Sequence, residues 1–212
     1  MAKDFTPKCK RCRRAGEKLF LKGERCDTPK CAMIRKPYVP GMHGKKKRRG
    51  LSEYGEQLAM KQKIKRTYGI LEKQFKKYFM DVRNKPGAAG DLLLQKLEMR
   101  LDNVVFRAGF FVSRSQARQF IKHSHFLVNK KRVNLPSYEV RVGDVIEIKD
   151  GKRENSYFKR LKETVKGLKE GSGPNWLEVN YQNLTVKVKS RPTKDDIGIS
   201  VNAQAVIEYY SR

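Results

Sequence analysis

The stretch Arg107–Arg132, RAGFFVSRSQARQFIKHSHFLVNKKR, decides how the rest of this chain is read. Ser113 followed at the third position by Gln116 is a capping-box pattern, so a helix is expected to start there. Ala117, Phe120 and Ile121 give that helix an apolar side. Arg114, Arg118 and Lys122, spaced four apart, line up along one edge beside it. His123 and His125 fall near the helix end. Phe126-Leu127-Val128 reads as a short strand, and Asn129-Lys130-Lys131-Arg132 as a turn leading to Val133. No acidic residue interrupts these 26 positions. A solvated face is the plain explanation of a basic stripe. The absence of a local acidic partner favours a phosphate backbone instead.

On the N-terminal side, Leu93, Leu97, Leu101, Val104, Val105 and Ala108 make an apolar stripe, so 91–110 reads as a helical unit ended by Gly109. Residues 53–83 are helical by the same periodicity. Gly69 breaks or kinks that pattern into two helices, and Asn84-Lys85-Pro86-Gly87 stops it. On the C-terminal side, Leu135-Pro136-Ser137 is a turn and 142–148 a turn and strand. Residues 156–170 are helical in pattern, and Leu184, Val186 and Val188 alternate as a strand. Trp176 reads as core rather than as a base-stacking platform. The expected class is α+β: a mainly helical domain with a metal-bound N-terminal segment, plus a small domain of two helices on a short-stranded sheet. The expected division is 1–50, 51–90 with 191–212 packing back on it, and 91–190, whose binding module spans about 98–150.

The 212 residues carry 49 Lys and Arg against 22 Asp and Glu, a formal net charge of +27. Such an excess costs self-repulsion in a compact chain and points to a polyanionic partner, with nucleic acid ahead of a membrane surface. No apolar run approaches the roughly 20 residues of a membrane span. The N-terminus lacks an apolar signal core, so a cytoplasmic protein is expected. Residues 1–50 hold 17 basic and 4 acidic residues, a net of +13, whereas 173–212 hold 5 and 4. The N-terminal quarter is therefore the main electrostatic footprint. Its run Lys45-Lys46-Lys47-Arg48-Arg49 reads as an RNA-contacting loop, with a solvated tail as the alternative.

All four cysteines lie near the N-terminus: Cys9, Cys12, Cys26 and Cys31. Two close pairs joined by a loop suit tetrahedral coordination of a structural zinc ion by four thiolates. The crowd of Lys8, Lys10, Arg11, Arg13, Arg14 and Arg25 favours thiolate and offsets its charge. An iron–sulfur cluster uses the same ligands and stays open. Disulfides conflict with a cytoplasmic setting. His43 lies 12 positions beyond the last cysteine and is a poor substitute ligand.

No phosphate-loop, dinucleotide or zinc-protease motif is present. His123 and His125 have no nearby nucleophile or carboxylate, so an enzyme is not expected.

The residues also carry a resemblance. Arg100-Leu101-Asp102-Asn103-Val104-Val105, then Ser113-Arg114-Ser115-Gln116-Ala117-Arg118-Gln119, Val128-Asn129, Leu135-Pro136-Ser137-Tyr138 and Gly143-Asp144 closely resemble the RNA-binding domain of the bacterial S-four family of small-ribosomal-subunit proteins. Pro40-Gly41-Met42-His43-Gly44, Ser52 to Leu58, Lys61-Gln62-Lys63, Tyr68-Gly69 and the ending Glu208-Tyr209-Tyr210-Ser211-Arg212 extend it over nearly the whole chain. The cysteine quartet is similar to that of the family's zinc-binding subset. Two departures stand out: where the family has His-Gly-His and Asn-Gly, this chain has His123-Ser124-His125 and Asn129-Lys130.

The resemblance implies a structural constituent of the small ribosomal subunit. Its partner would be the 5′ domain of 16S ribosomal RNA at a multi-helix junction. Further implied are early action in assembly, neighbourhood to mRNA where it enters the subunit and to protein S-five, influence on decoding accuracy and, in some members, repression of their own mRNA. No membrane partner and no small-molecule substrate are expected. The expected RNA contacts are Lys45, Lys46, Lys47, Arg48, Arg49, Lys61, Arg66, Arg107, Arg114, Arg118, Lys122, His123, His125 and Arg132. Two other readings compete. The same module occurs in pseudouridine synthases, and Arg100-Leu101-Asp102 is similar to their catalytic tripeptide, but Val105 and Arg107 stand where the synthase pattern continues with Thr or Ser and then Gly. A zinc-dependent DNA-binding regulator would need a recognition helix after the cysteines, and the sequence offers none there.

Overall fold

A computed structural model describes residues 6–46, 50–165, 173–198 and 202–211. The chain forms two compact units, 1–94 with 199–212, and 95–198.

The first unit begins with α1 (Lys8–Ala15), a 3-10 turn (Gly23–Cys26) and α2 (Ala32–Arg35). These short pieces bury little beyond Leu19 and three of the cysteines. Arg13 ties the following loop down: its Nε donates to the Tyr38 carbonyl at 2.8 Å, and its guanidinium lies 4.7 Å from the Tyr38 ring centre. At Gly44 a side chain is impossible, because a Cβ there would stand 1.9 Å from the Val39 carbonyl oxygen. The Gly41–Gly44 turn before the basic block thus depends on backbone-to-backbone approach.

Two longer helices follow, α3 (Glu53–Tyr68) and α4 (Glu72–Arg83). Ser52 caps α3, accepting from the Gly55 amide, and Gly69 ends it in the left-handed conformation at φ 61°. Ile64, Tyr68, Phe75, Phe79 and Val82 are buried at the helical spacing read from the sequence. Next come α5 (Ala89–Glu98), in which the two units meet in sequence, α6 (Leu101–Arg107) and α7 (Arg114–Lys122). The continuous helical unit expected over 91–110 is interrupted. Arg100 adopts extended backbone, ψ 138°, and forms a β-bridge with Glu139. The Leu101 and Asp102 amides donate to the carbonyls of Tyr138 and Pro136. The 136–140 loop therefore takes up backbone groups that a straight helix would satisfy internally.

Half of the capping box on α7 forms. Ser113 Oγ accepts from the Gln116 amide at 3.4 Å, but Gln116 Oε1 is buried without a partner. After α7 the second unit builds one antiparallel sheet in the order β2-β1-β3-β5-β4, from β1 (Phe126–Val128), β2 (Lys131–Val133), β3 (Val145–Ile148), β4 (Leu177–Asn180) and β5 (Thr185–Val188). Between β3 and β4 lie α8 (Asp150–Arg153) and α9 (Ser156–Val165). The rest of the expected 156–170 helix falls outside the described residues.

Registers Phe126↔Ile148, Val128↔Ile146, Ile146↔Val186 and Val179↔Val186 place buried side chains opposite one another on one face. Leu127 pairs with Arg132 and Glu147 on the other. The period of two buries alternate residues of β1, β3, β4 and β5 on one face, whereas in the edge strand β2 only Val133 is partly covered. Ala117 and Ile121 of α7, Val104 and Val105 of α6, Phe158 of α9 and Trp176 close one core over the apolar face. Trp176 is a core residue, 1% exposed. The chain ends in α10 (Lys194–Ile197), with a Thr193–Asp196 capping box, and α11 (Ala203–Ser211) of the first unit.

Candidate nucleic-acid interface

The basic stripe of α7 is not unopposed. Asp102, on α6, accepts from Arg118 Nε at 2.6 Å and from Arg100 Nε and Nη2 at 3.0 and 2.9 Å. Asp102 and Arg100 are each 1% exposed. Burial pushes the Asp102 carboxyl up, but the two guanidiniums outweigh it, so the group stays below the usual carboxylate range. Arg107 forks onto Glu98, with Nη2 at 2.8 Å and Nε at 3.0 Å from its oxygens. Asn103 Nδ2 also donates to Glu98, and Asn103 Oδ1 accepts from Arg114 Nε at 2.7 Å. Arg114 lies over the Phe106 ring at 4.4 Å. Three expected phosphate contacts, Arg107, Arg114 and Arg118, are therefore half-buried groups fixed by internal partners. Their partners come from α5 and α6, outside the acid-free stretch, where a reading confined to that stretch misses them.

Lys122 and His123 are exposed at the α7 C-terminus, where positive charge is favoured. His125 is largely buried. It is 9% exposed, its ring lies 4.9 Å from Phe120 and 5.9 Å from Phe158, and its Nδ1 is buried without a partner. Burial, then the charges of Lys152 and His123, hold its pKa below the ordinary histidine value. His125 is thus packed into the aromatic core of the second unit. Arg132 is exposed on β2, across from Leu127.

The two departures from the family glycines are accommodated by strained backbone. Ser124 stands at φ 57°, Asn129 at 49° and Lys130 at 63°. Positive φ at both central positions, Asn129 and Lys130, is the requirement of a type I′ two-residue hairpin turn. Asn129 is held there by β3: its Oδ1 accepts from the Val145 amide at 2.9 Å, and its Nδ2 donates to Asp144 at 2.8 Å. Lys130 has no such anchor in its side chain among the described residues, and is exposed.

In the first unit, Lys61 is buried at 4% exposure and donates to Glu72 Oε1 at 2.7 Å, with its Nζ 4.5 Å from the Tyr209 ring centre. Its amine is thus engaged inside the first unit. Lys65 and Tyr210 complete the cluster on Glu72 at 2.8 and 2.6 Å. Burial raises the Glu72 carboxyl, but hydrogen bonds from Lys61, Lys65 and Tyr210 overcome it and hold the pKa at about 2. Burial first, then the hydrogen bond to Glu72 and its charge, push the Tyr210 phenol up. Arg66 is half-buried in the last turn of α3. Lys45 and Lys46 are exposed, with Lys45 Nζ 5.6 Å from the Tyr38 ring centre. Lys47, Arg48 and Arg49 lie outside the described residues.

The four cysteines are free thiols and line one cavity together with Lys8, Lys22 and Arg25. Burial raises the Cys12 thiol pKa, and the three other cysteines add to the rise. The Lys22 amide donates to Cys26 Sγ at 3.4 Å. Among the described residues, no group of three or more His, Cys, Asp or Glu side chains is drawn together as a metal cluster. The expected zinc quartet is thus gathered at one cavity without closing into a ligand set. No helix among the described residues is long and apolar enough to cross a membrane.

Residues 3–98 match the family described as the ribosomal protein S4/S9 N-terminal domain, and residues 99–146 match the S4 domain. The small ribosomal subunit proteins uS4 of Halothermothrix orenii and Caldicellulosiruptor bescii are each 50% identical to the chain over 212 residues, covering all of both sequences. That of Nitrosospira multiformis is 48% identical over the same span. With this identity sustained through both units and both matched domains, the chain belongs to the small ribosomal subunit protein uS4 family.

Proposed function

We propose that the protein is a structural, non-enzymatic constituent of the small ribosomal subunit in the cytoplasm, binding 16S ribosomal RNA. The observation that carries this is that within each unit carboxylates engage cations of the scaffold, Lys61 in the first and Arg100, Arg107 and Arg118 in the second, while Lys45 and Lys46 of the first and Lys122 and Arg132 of the second face outward. None of these four outward cations has an ion pair among the described residues. The mechanism is junction clamping: the outward cations neutralise phosphates of helices that would otherwise repel. A multi-helix junction in the 5′ domain, mRNA where it enters the subunit, protein S-five and a part in decoding accuracy belong to the same reading, on the strength of the family.

The measurement is binding of the full chain to a 16S 5′-domain transcript across salt concentration. If about 6–10 phosphates are neutralised, affinity falls on the order of a thousandfold or more between 50 and 200 mM salt. A flat response overturns the reading. The synthase alternative is disfavoured by Asp102, which is buried and doubly ion-paired, with no free carboxylate for chemistry on a base.

We also infer that Cys9, Cys12, Cys26 and Cys31 hold a structural zinc ion. Four free thiols at one cavity, beside lysine and arginine, supply the donor chemistry that ion takes. Bound zinc would add folding free energy to a segment with little apolar core of its own.

A further inference from the structure

The turn after α7 has a second basic neighbour that the helix pattern does not reveal. The Lys149 amide donates to the His125 carbonyl at 2.9 Å, one step beyond the Phe126↔Ile148 register of β1 and β3. This hydrogen bond places the start of α8 against the 123–125 turn. The Lys152 amide bonds back to the Lys149 carbonyl at 2.8 Å, so both lysines belong to one tight turn. Lys152 also stands near enough to act electrostatically on His125.

Lys122, His123, Lys149 and Lys152 are all exposed, and their side chains make no ion pair among the described residues. Two carboxylates close in sequence are engaged elsewhere, Asp150 with Arg153 at 3.1 Å and Glu154 with Lys159 at 2.6 Å, and Glu147 lies on β3 across from Leu127 and Thr185. The backbone thus brings Lys149 and Lys152 to the turn that follows Lys122, and none of these lysines has an ion pair of its own among the described residues. Lysines left without a carboxylate partner favour an anionic ligand.

We propose that Lys149 and Lys152, with Lys122 and His123, form one phosphate-binding corner for structured RNA, and that His125 is the buried post that holds the corner in shape. The proposal rests on the RNA-binding reading above. His125 packs between Phe120 and Phe158, and its backbone carbonyl anchors Lys149, so it can organise the corner without touching a phosphate.

The test uses the full chain, a 16S 5′-domain transcript and a salt series. Each lysine–phosphate contact contributes about 0.7–0.9 to the log–log slope. Lys149→Gln with Lys152→Gln should therefore flatten the slope by about 1.6. The fall in affinity between 50 and 200 mM salt would shrink by roughly ninefold. A charge-matched pair on exposed positions elsewhere, Lys187→Gln with Lys194→Gln, should flatten it far less. His125→Phe, which keeps an aromatic ring in place, should keep the full slope. A steep wild-type slope left unchanged by Lys149→Gln/Lys152→Gln overturns the corner while leaving RNA binding intact. Equal flattening by the control pair reduces the effect to bulk charge and also overturns it. Weaker RNA binding by His125→Phe at low salt with an unchanged slope makes His125 a direct ligand and overturns its role as a post. A flat wild-type response instead removes the RNA-binding reading beneath the proposal.

Discussion

Arg118 Nε sits 2.6 Å from Asp102 Oδ2, joining α7 to α6 through a carboxylate that also holds the buried Arg100. This pairing couples the basic helix to the core. Replacing Asp102 by Asn leaves Arg100 buried with its charge uncompensated, a loss of about 3–5 kcal/mol of folding stability. Urea unfolding monitored by Trp176 fluorescence measures it. A cost under about 1 kcal/mol, the scale of an exposed pair, would mean that the triad does not hold α7.

Glu72 gives the first unit an acid limit. Its folded pKa of about 2 lies below the unfolded value of about 4.3. The stability it contributes is complete above about pH 4.3 and is lost as pH falls through about 4 toward 2. Because its side chain is 45% exposed, solvent screening keeps that contribution to about 1 kcal/mol or less. Glu72→Gln should flatten the stability–pH curve between about pH 5 and 2 while lowering stability at neutral pH. A variant curve parallel to wild type would show that Glu72 is not the titrating group.

Glycine should help at two of the three strained positions and harm at the third. Ser124→Gly and Lys130→Gly relieve a left-handed backbone, a gain of about 0.5–1 kcal/mol each after the unfolded-state penalty. Asn129→Gly gives up the bonds to Val145 and Asp144, so it should destabilise by about 1 kcal/mol. Thermal melts of the three variants rank them. Equal shifts at Asn129 and Lys130 would show that the side-chain anchor carries no weight.

Zinc should change the chemistry of the thiols. Without metal, Cys9, Cys12, Cys26 and Cys31 should all react with an aromatic disulfide reagent. With one equivalent of zinc they should become protected together, and the 6–46 segment should resist proteolysis. Cys12→Ser should abolish both effects. Reaction rates that zinc leaves unchanged would remove the metal from this cavity.

Much of the fold is written locally. The two helices on either side of Gly69, the start of α7 at Ser113 and the alternation of β5 each arise from a short-range pattern that burial then enforces. The break at Arg100 is not local. It is caused by the 136–140 loop, far along the chain, which takes up backbone hydrogen bonds, and periodicity carries no trace of that. The same limit applies to the interface. Charge counting within Arg107–Arg132 identifies the stripe, but Glu98 and Asp102, which absorb Arg107 and Arg118, lie just upstream. Lys61 reads as a surface cation until Glu72 and the C-terminal tyrosines close over it. His125 reads as a ligand until the aromatic core surrounds it.

The hairpin between β1 and β2 carries a consequence for the order of folding. With Asn129 and Lys130 both at positive φ, its turn costs about 1–2 kcal/mol per residue and cannot nucleate the strands by itself. The bonds that repay Asn129 exist only once Val145 and Asp144 are in place. The hairpin therefore closes late, onto a β3 already positioned by the core. Substitutions in this turn should speed unfolding while leaving the refolding rate almost untouched.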